Sequence, residues 1–214
     1  SLGLVGSEMC IRDRTISTPT SAEFKHKKQS GGAGQYGHVI LELQPLSNGD
    51  GFEFESRVVG GSVPREYIPS VEKGIRAALA TGTVGGFPVT DLKATLVDGS
   101  FLSVDSSGVS FEIAAGRALS VGMERAQPVL LEPVMKVVVK VPDEYTGDII
   151  GELNSRRGRI SGMASAEEGY SSTEADVPHA EMLDYATTLR SLTQGLGTCS
   201  MEFSRYEEIP KHLV

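Results

Sequence analysis

The chain has 214 residues, 39% hydrophobic and 22% charged, a balance that fits one large or two small globular domains. A net charge of −8 argues against a protein that coats nucleic acid indiscriminately, and two cysteines, Cys10 and Cys199, suit neither a disulfide framework nor a zinc site. No apolar run is long enough to cross a bilayer and no secretory leader is recognisable, so the expected compartment is the cytoplasm.

Residues 1–14 fit nothing that follows. The chain opens on Ser rather than Met, and Ser1 to Arg14 resembles a translated sequencing-adapter remnant. This leader is set aside as extraneous, with the expectation that the native protein continues upstream and that this is its C-terminal part. A first domain is expected over 15–128 and a second over 129–214. The first carries 10 basic and 12 acidic residues and the second 8 and 14, so the acidic excess lies in the second.

A strand is expected over Thr15 to Lys28, ending in the basic run Lys25-His26-Lys27-Lys28. The stretch Gly31-Gly32-Ala33-Gly34-Gln35-Tyr36-Gly37-His38-Val39 then fits G-x-G-x-x-G-x-V, the spacing of a kinase phosphate loop and, without the valine, of a dinucleotide loop. A dinucleotide loop must open a helix. Here Val39, Leu41 and Leu43 alternate as a strand instead, and the V-A-I-K, H-R-D and D-F-G motifs of a kinase are absent. The glycines read as a tight link between two strands.

Ser47-Asn48-Gly49-Asp50-Gly51 is a turn, and Phe52 to Val59 a third strand. Pro64 begins a helix with Ile68, Val71, Ile75, Ala78 and Leu79 on one face, ended by Gly82. Pro88 to Val97 reads as a strand, Asp98 to Val104 as a loop, and Asp105, Ser106 and Ser107 as N-cap candidates for a helix carrying Phe111, Ala114, Ala118 and Val121. Val129 to Val134, punctuated by Pro128 and Pro133, reads as a snug linker. The remainder has the order β-α-β-β-α-β, the split βαβ pattern of ferredoxin-like domains.

Several stretches together resemble the C-terminal two domains of elongation factor G. They are Gly31 to His38, Gly60 to Pro69, Val104 to Ser107, Pro128 to Met135, Gly147-Asp148, Asn154 to Arg159 and Tyr185 to Leu192. The run Lys25 to Gln29 looks more like the elongation-factor-G-like paralogue group than the housekeeping translocase. The resemblance implies an α+β protein of two domains. The first is an elongated α/β sandwich of the ribosomal-protein-S5-domain-2-like type with a left-handed crossover, a rare handedness. The second is ferredoxin-like.

It also implies a role. The first domain would be a prong that reaches the decoding region of the small ribosomal subunit and the tRNA-mRNA duplex. The second would anchor it near the sarcin-ricin loop and stalk base of the large subunit. The prong loops would be Gly31, Gly32, Ala33, Gly34, Gln35 and Tyr36 in one, and Ser100, Phe101, Leu102, Asp105, Ser106 and Ser107 in the other. Gln35 and Ser106 would donate to phosphate or 2′-hydroxyl, and Arg156, Arg157 and Arg159 would fork onto ribosomal RNA. The bland readings stand beside these: a hairpin turn, a helix cap and a solvated helix end.

The chain has no G-x-x-x-x-G-K-[ST] run, so no catalytic residue, metal or cofactor is expected in it; GTP and magnesium would bind an upstream domain of a GTPase parent, and the protein would act as a monomer. Three positions depart from the family pattern: Leu102 where His is usual, Ala33 where Arg or His is frequent, and Gly195-Leu196-Gly197 where Gly-Arg-Gly is usual. Each removes a polar contact and points to a divergent paralogue. Translocation is the leading function, recycling or ribosome protection the close rival, and a nucleotide-binding enzyme using Gly32 to Gly37 the rival of another class. A metabolite-sensing second domain is a further alternative.

Overall fold

The computed structural model describes residues 14–29, 32, 34–83 and 86–213. The leader 1–13, Gly31 and Ala33 lie outside the described residues. The chain divides into two compact units, with the boundary between Leu130 and Leu131, two residues beyond the expected position.

In the first unit the alternation of Val39, Leu41 and Leu43 is decisive. All three are fully buried on one face of strand β3 (Gln35–Pro45). β3 lies between β2 (Thr20–Lys28) and β5 (Leu92–Ser100), both antiparallel to it, and β4 (Phe52–Ser56) runs parallel to β5 at the edge. The order is therefore β2-β3-β5-β4. The parallel β4–β5 pair needs a crossover, supplied by a single turn at Arg65–Tyr67 and helix α1 (Ile68–Thr81).

Helix α1 and helix α2 (Gly108–Arg125) cover the apolar face of the sheet. Val71, Ile75 and Leu79 from α1 meet Phe111, Ala114, Ala118, Leu119 and Met123 from α2, with the strand valines and leucines beneath. The helices approach closely because Gly74 has no side chain; a Cβ there would fall on the carbonyl of Glu112. A short strand β1 (Arg14–Ile16) pairs with Pro128–Leu130 and buries Ile16 in the same core.

The second unit has the ferredoxin-like order. Strand β6 (Pro128–Pro142) continues into it from Leu131 and is followed by α3 (Thr146–Ser155), β7 (Arg159–Glu167), β8 (Tyr170–Pro178), α4 (Tyr185–Leu192) and β9 (Thr198–Glu208). The sheet is antiparallel in the order β9-β6-β8-β7. Val137, Val139 and Val141 of β6 are buried with Ala175 and Val177 of β8, beneath Ile149 and Leu153 of α3 and Tyr185 and Leu189 of α4. The α+β class and the two-domain layout thus stand as expected.

Several expected boundaries move. The strand over Thr15–Lys28 is two strands, β1 and β2, interrupted at Ser17-Thr18-Pro19. There the backbone turns aside to cap α2: the amides of Ser17 and Thr18 both donate to the Ala126 carbonyl. The strand over Pro88–Val97 begins at Leu92 and runs to Ser100, because Asp91 takes a left-handed conformation and holds the amides of Gly49 and Gly51 on its carboxylate. Hence Asp98, Gly99 and Ser100 are strand, not loop. The linker Val129–Val134 is also strand. Pro133 is tolerated because it pairs only with Tyr206 of β9, and the β8 ladder starts one residue later at Val134.

Candidate nucleic-acid interface

One end of the first unit gathers the C-terminus of β2, the N-terminus of β3, the C-terminus of β5 and the N-terminus of α2. The two predicted loops meet there. The Gly34 amide donates to Asp105 Oδ1 at 3.0 Å, and the Tyr36 amide donates to the Asp105 carbonyl at 2.8 Å. Ser106 Oγ donates to the Tyr36 carbonyl at 2.8 Å and accepts from the Leu102 amide at 2.9 Å. Tyr36, which the structure places in β3 and not in the first loop, and Ser106 of the second loop also form an isolated parallel bridge, seventy residues apart. A Cβ on Gly34 would meet the Asp105 carboxyl carbon at 2.8 Å, so a side chain there would push that carboxylate aside.

Ser107 is the N-cap of α2, in extended conformation with its Oγ accepting from the Ser110 amide at 3.3 Å. Of the three cap candidates only this one acts as a cap. Asp105 turns to the first loop, and Ser106 gives its only proton to Tyr36. The expectation that Ser106 donates to an outside phosphate therefore meets a hydroxyl already committed within the protein. Gln35 differs: its Oε1 lies 2.9 Å from His26 Nε2, which leaves the amide nitrogen out of that bond. Ser100 Oγ bonds both Tyr36 OH at 2.7 Å and His38 Nδ1 at 2.9 Å. Gly32 is exposed, as are Phe101, Leu102 and Val104.

From the sequence, Lys25 and Lys27 are no more than a basic lead-in. The register places them opposite His38 and Tyr36, on the sheet face that the helices leave open. Both are exposed, and no ion pair holds them among the described residues. The period-two spacing of lysines before the glycines is the signal that could have added them. Asp98, on the same end, has its carboxyl held below the usual range by the Ser62 hydroxyl and the Gly99 amide.

In the second unit the three arginines follow α3 and are spent mostly within the protein. The Arg156 side chain is 12% exposed; it holds Glu152 at 2.7 Å, Asp184 at 2.6 Å, the Glu181 carbonyl and Thr188 Oγ1, with its guanidinium over the Tyr185 ring. Arg157 grips both oxygens of Glu132, at 2.7 and 2.9 Å, and Glu181 at 3.0 Å. Hydrogen bonds donated to Asp184 and Glu132 raise the two guanidinium pKa values further, so both stay charged. The Arg159 side chain is 62% exposed and, among the described residues, bonded to Glu207 alone. Burial raises the Glu207 carboxyl, but Arg159 and Arg205 outweigh it and the net shift is downward. Leu196 stands half-exposed at the crest of a turn closed by Thr193 Oγ1, which accepts from the Gly197 amide at 2.9 Å.

Residues 9–127 match the family described as elongation factor G, domain IV, and residues 129–214 match elongation factor G C-terminus. The chain belongs to the elongation factor G family. It is 51% identical over 209 residues to an elongation factor G-like protein of Thermotoga maritima, a match that covers 98% of this chain and 31% of that protein. A crystal structure of a Thermus thermophilus protein superposes with a TM-score of 0.87 at 44% identity, covering 95% of this chain and 30% of that one. The chain thus spans about a third of the length of these relatives.

Within this elongation factor G frame the departures acquire surroundings. Leu102 is 46% exposed beside Phe101 and Val104, so the second loop presents an apolar edge. Ala33 lies outside the described residues. No helix among the described residues is long and apolar enough to cross a membrane.

Proposed function

We propose that this chain is the ribosome-engaging part of an elongation-factor-G-like translational GTPase that promotes tRNA-mRNA movement during protein synthesis. The observation that carries the reading is the stitching of two loops into one end: Gly34 to Asp105, Tyr36 to Asp105 and Tyr36 to Ser106. Loops braced in this way resist deflection, and glycine backbone allows close approach to a sugar-phosphate surface. In this reading the first unit enters the decoding region of the small subunit and contacts the tRNA-mRNA duplex. The second docks near the sarcin-ricin loop and stalk base, with Arg159 the best exposed of the three arginines after α3. GTP and magnesium act in sequence outside this chain, which contributes contact rather than bond-breaking, as a cytoplasmic monomer.

The exposed Leu102 favours a second reading, a recycling or protection paralogue whose loop meets something other than the tRNA-mRNA duplex. The protein expressed from its complete reading frame separates the two: tRNA movement on programmed ribosomes supports translocation, whereas subunit splitting without movement supports recycling. Saturable micromolar binding of ATP or GTP by residues 1–214 would instead return the glycine loop to nucleotide chemistry.

A further inference from the structure

Gly60 to Pro69 carries part of the resemblance, yet the two loops leave it without a task. It sits at the same end of the first unit. Ser62 Oγ donates to Asp98 Oδ1 at 2.6 Å, Tyr67 OH donates to the Ser106 carbonyl at 3.4 Å, and the Tyr67 ring stacks on Phe111 at 4.9 Å. Val63 is buried against Gly99, where a Cβ would meet its Cγ2 at 2.6 Å. After β4 the chain reverses through Gly60 and Gly61, with φ of 72° and 74°, a left-handed pair suited to glycine.

Between this turn and the start of α1 lies an open groove of about 530 Å³. Its walls include Val58, Val63, Ile68 and Pro69, and Arg65 lines it with an exposed side chain. Arg57 and Arg76 of the same unit are held by Glu55 and Glu72, whereas Arg65 has no carboxylate within ion-pair distance among the described residues. The volume suits a ligand of nucleotide size rather than a helix. An apolar wall takes the face of an unstacked base, and a free guanidinium takes its phosphate in bidentate fashion. Position agrees, since the groove adjoins the end of β5 through Val63–Gly99 and the second loop through Tyr67–Ser106.

The geometry points to this groove as a seat for one unstacked RNA nucleotide, its base against Val58 and Ile68 and its phosphate on Arg65. The inference rests on the ribosome-facing reading above and adds a third contact to the two loops. Val59, 84% exposed next to the groove, is the site for a photoreactive benzoylphenylalanine in protein expressed from its complete reading frame and bound to ribosomes. Irradiation should crosslink it to an unpaired RNA nucleotide. Arg65→Glu in that protein should cut the RNA crosslink about tenfold, the loss of one charge-assisted contact, with cosedimentation and melting temperature retained. An RNA crosslink undiminished by Arg65→Glu, or a crosslink to ribosomal protein alone, overturns the nucleotide seat and leaves the proposed function standing. Failure of the unsubstituted protein to cosediment with ribosomes overturns both.

Discussion

Gly34 and Asp105 are seventy-one residues apart in the chain, yet the amide of one donates to the carboxylate of the other at 3.0 Å. The Asp105 carbonyl accepts from Tyr36 as well, so a single residue of the second loop holds one amide of the first loop and one of β3. This residue carries a negative charge at a surface argued to meet phosphate. Its placement explains the tolerance: the side chain is turned inward to the first loop, where it satisfies a backbone donor instead of facing solvent alone.

Asp105→Ala should free the Gly34 amide while leaving the fold intact. Amide exchange at Gly34 should accelerate by roughly tenfold, the equivalent of one hydrogen bond to a charged acceptor. Asp105→Asn keeps an acceptor oxygen and should lie between the two. Equal exchange in all three proteins would mean that the loops are not braced by this contact.

Ser106 and Ser107 are neighbours with different duties, and alanine at each should separate them. Ser107→Ala removes the α2 cap and should cost about 1 kcal/mol of stability in denaturant titration. Ser106→Ala breaks the link to the Tyr36 carbonyl and should chiefly raise exchange at Leu102, whose amide donates to that hydroxyl, a local effect. A larger global loss for Ser106→Ala than for Ser107→Ala would reverse this division.

How much of this was legible depends on how local the signal is. Val39, Leu41 and Leu43 and the α1 face Val71, Ile75 and Leu79 repeat within a few residues, and their burial follows the spacing. The strand over Val129–Val134 reads as a linker because prolines punctuate it; that Pro133 pairs on one side only is a property of the assembled sheet. At the interface the residue types were legible, but not where the Ser106 hydroxyl points. The arginines show the same limit. Apart from Glu152, one helical turn from Arg156, their carboxylate partners Glu132, Glu181, Asp184 and Glu207 stand between 24 and 48 residues away, and only the folded unit brings them together.

Glycines in two helices should respond oppositely to alanine. At Gly74 a Cβ would strike backbone of α2, which cannot rotate aside, so Gly74→Ala should destabilise by about 2–4 kcal/mol. Gly151 lies inside α3 with nothing within 4 Å of such a Cβ. There Gly151→Ala should stabilise by about 0.5–1 kcal/mol, from helix propensity and a stiffer unfolded chain. Thermal melts of the two variants decide it; a Gly74→Ala variant as stable as the parent would refute the close α1–α2 approach.

Burial pushes the Cys199 thiol up to about 11 from an ordinary 9, and burial raises the Tyr185 hydroxyl beyond that range. Both groups are held neutral, so their contribution is complete below the unfolded pKa and is lost as pH rises through the folded one. Stability of the native chain should therefore decline from about pH 9 upward, and Cys199→Ala should flatten the decline between pH 9 and 11. At pH 8 the thiol should react with a disulfide reagent about a hundredfold more slowly than an unburied cysteine in a Cys10→Ser background. Rapid labelling would show Cys199 to be open to solvent.

Arg157 and Arg159, two residues apart, should fail in different assays. Arg157 takes a left-handed φ of 58° and covers Glu132, whose side chain is only 7% exposed, with two parallel hydrogen bonds. Arg157→Ala leaves that carboxylate buried without its partner and should cost about 3 kcal/mol. Arg159 is mostly solvated, and its pair with Glu207 is worth under about 1 kcal/mol, so Arg159→Ala should melt within a few degrees of the parent. If Arg159 meets ribosomal RNA, its loss should lower ribosome affinity and reduce the slope of log affinity against log salt by about one. An unchanged slope would move the RNA contact elsewhere on the second unit, and a melt of Arg157→Ala superimposable on the parent would show that Glu132 does not need its cation.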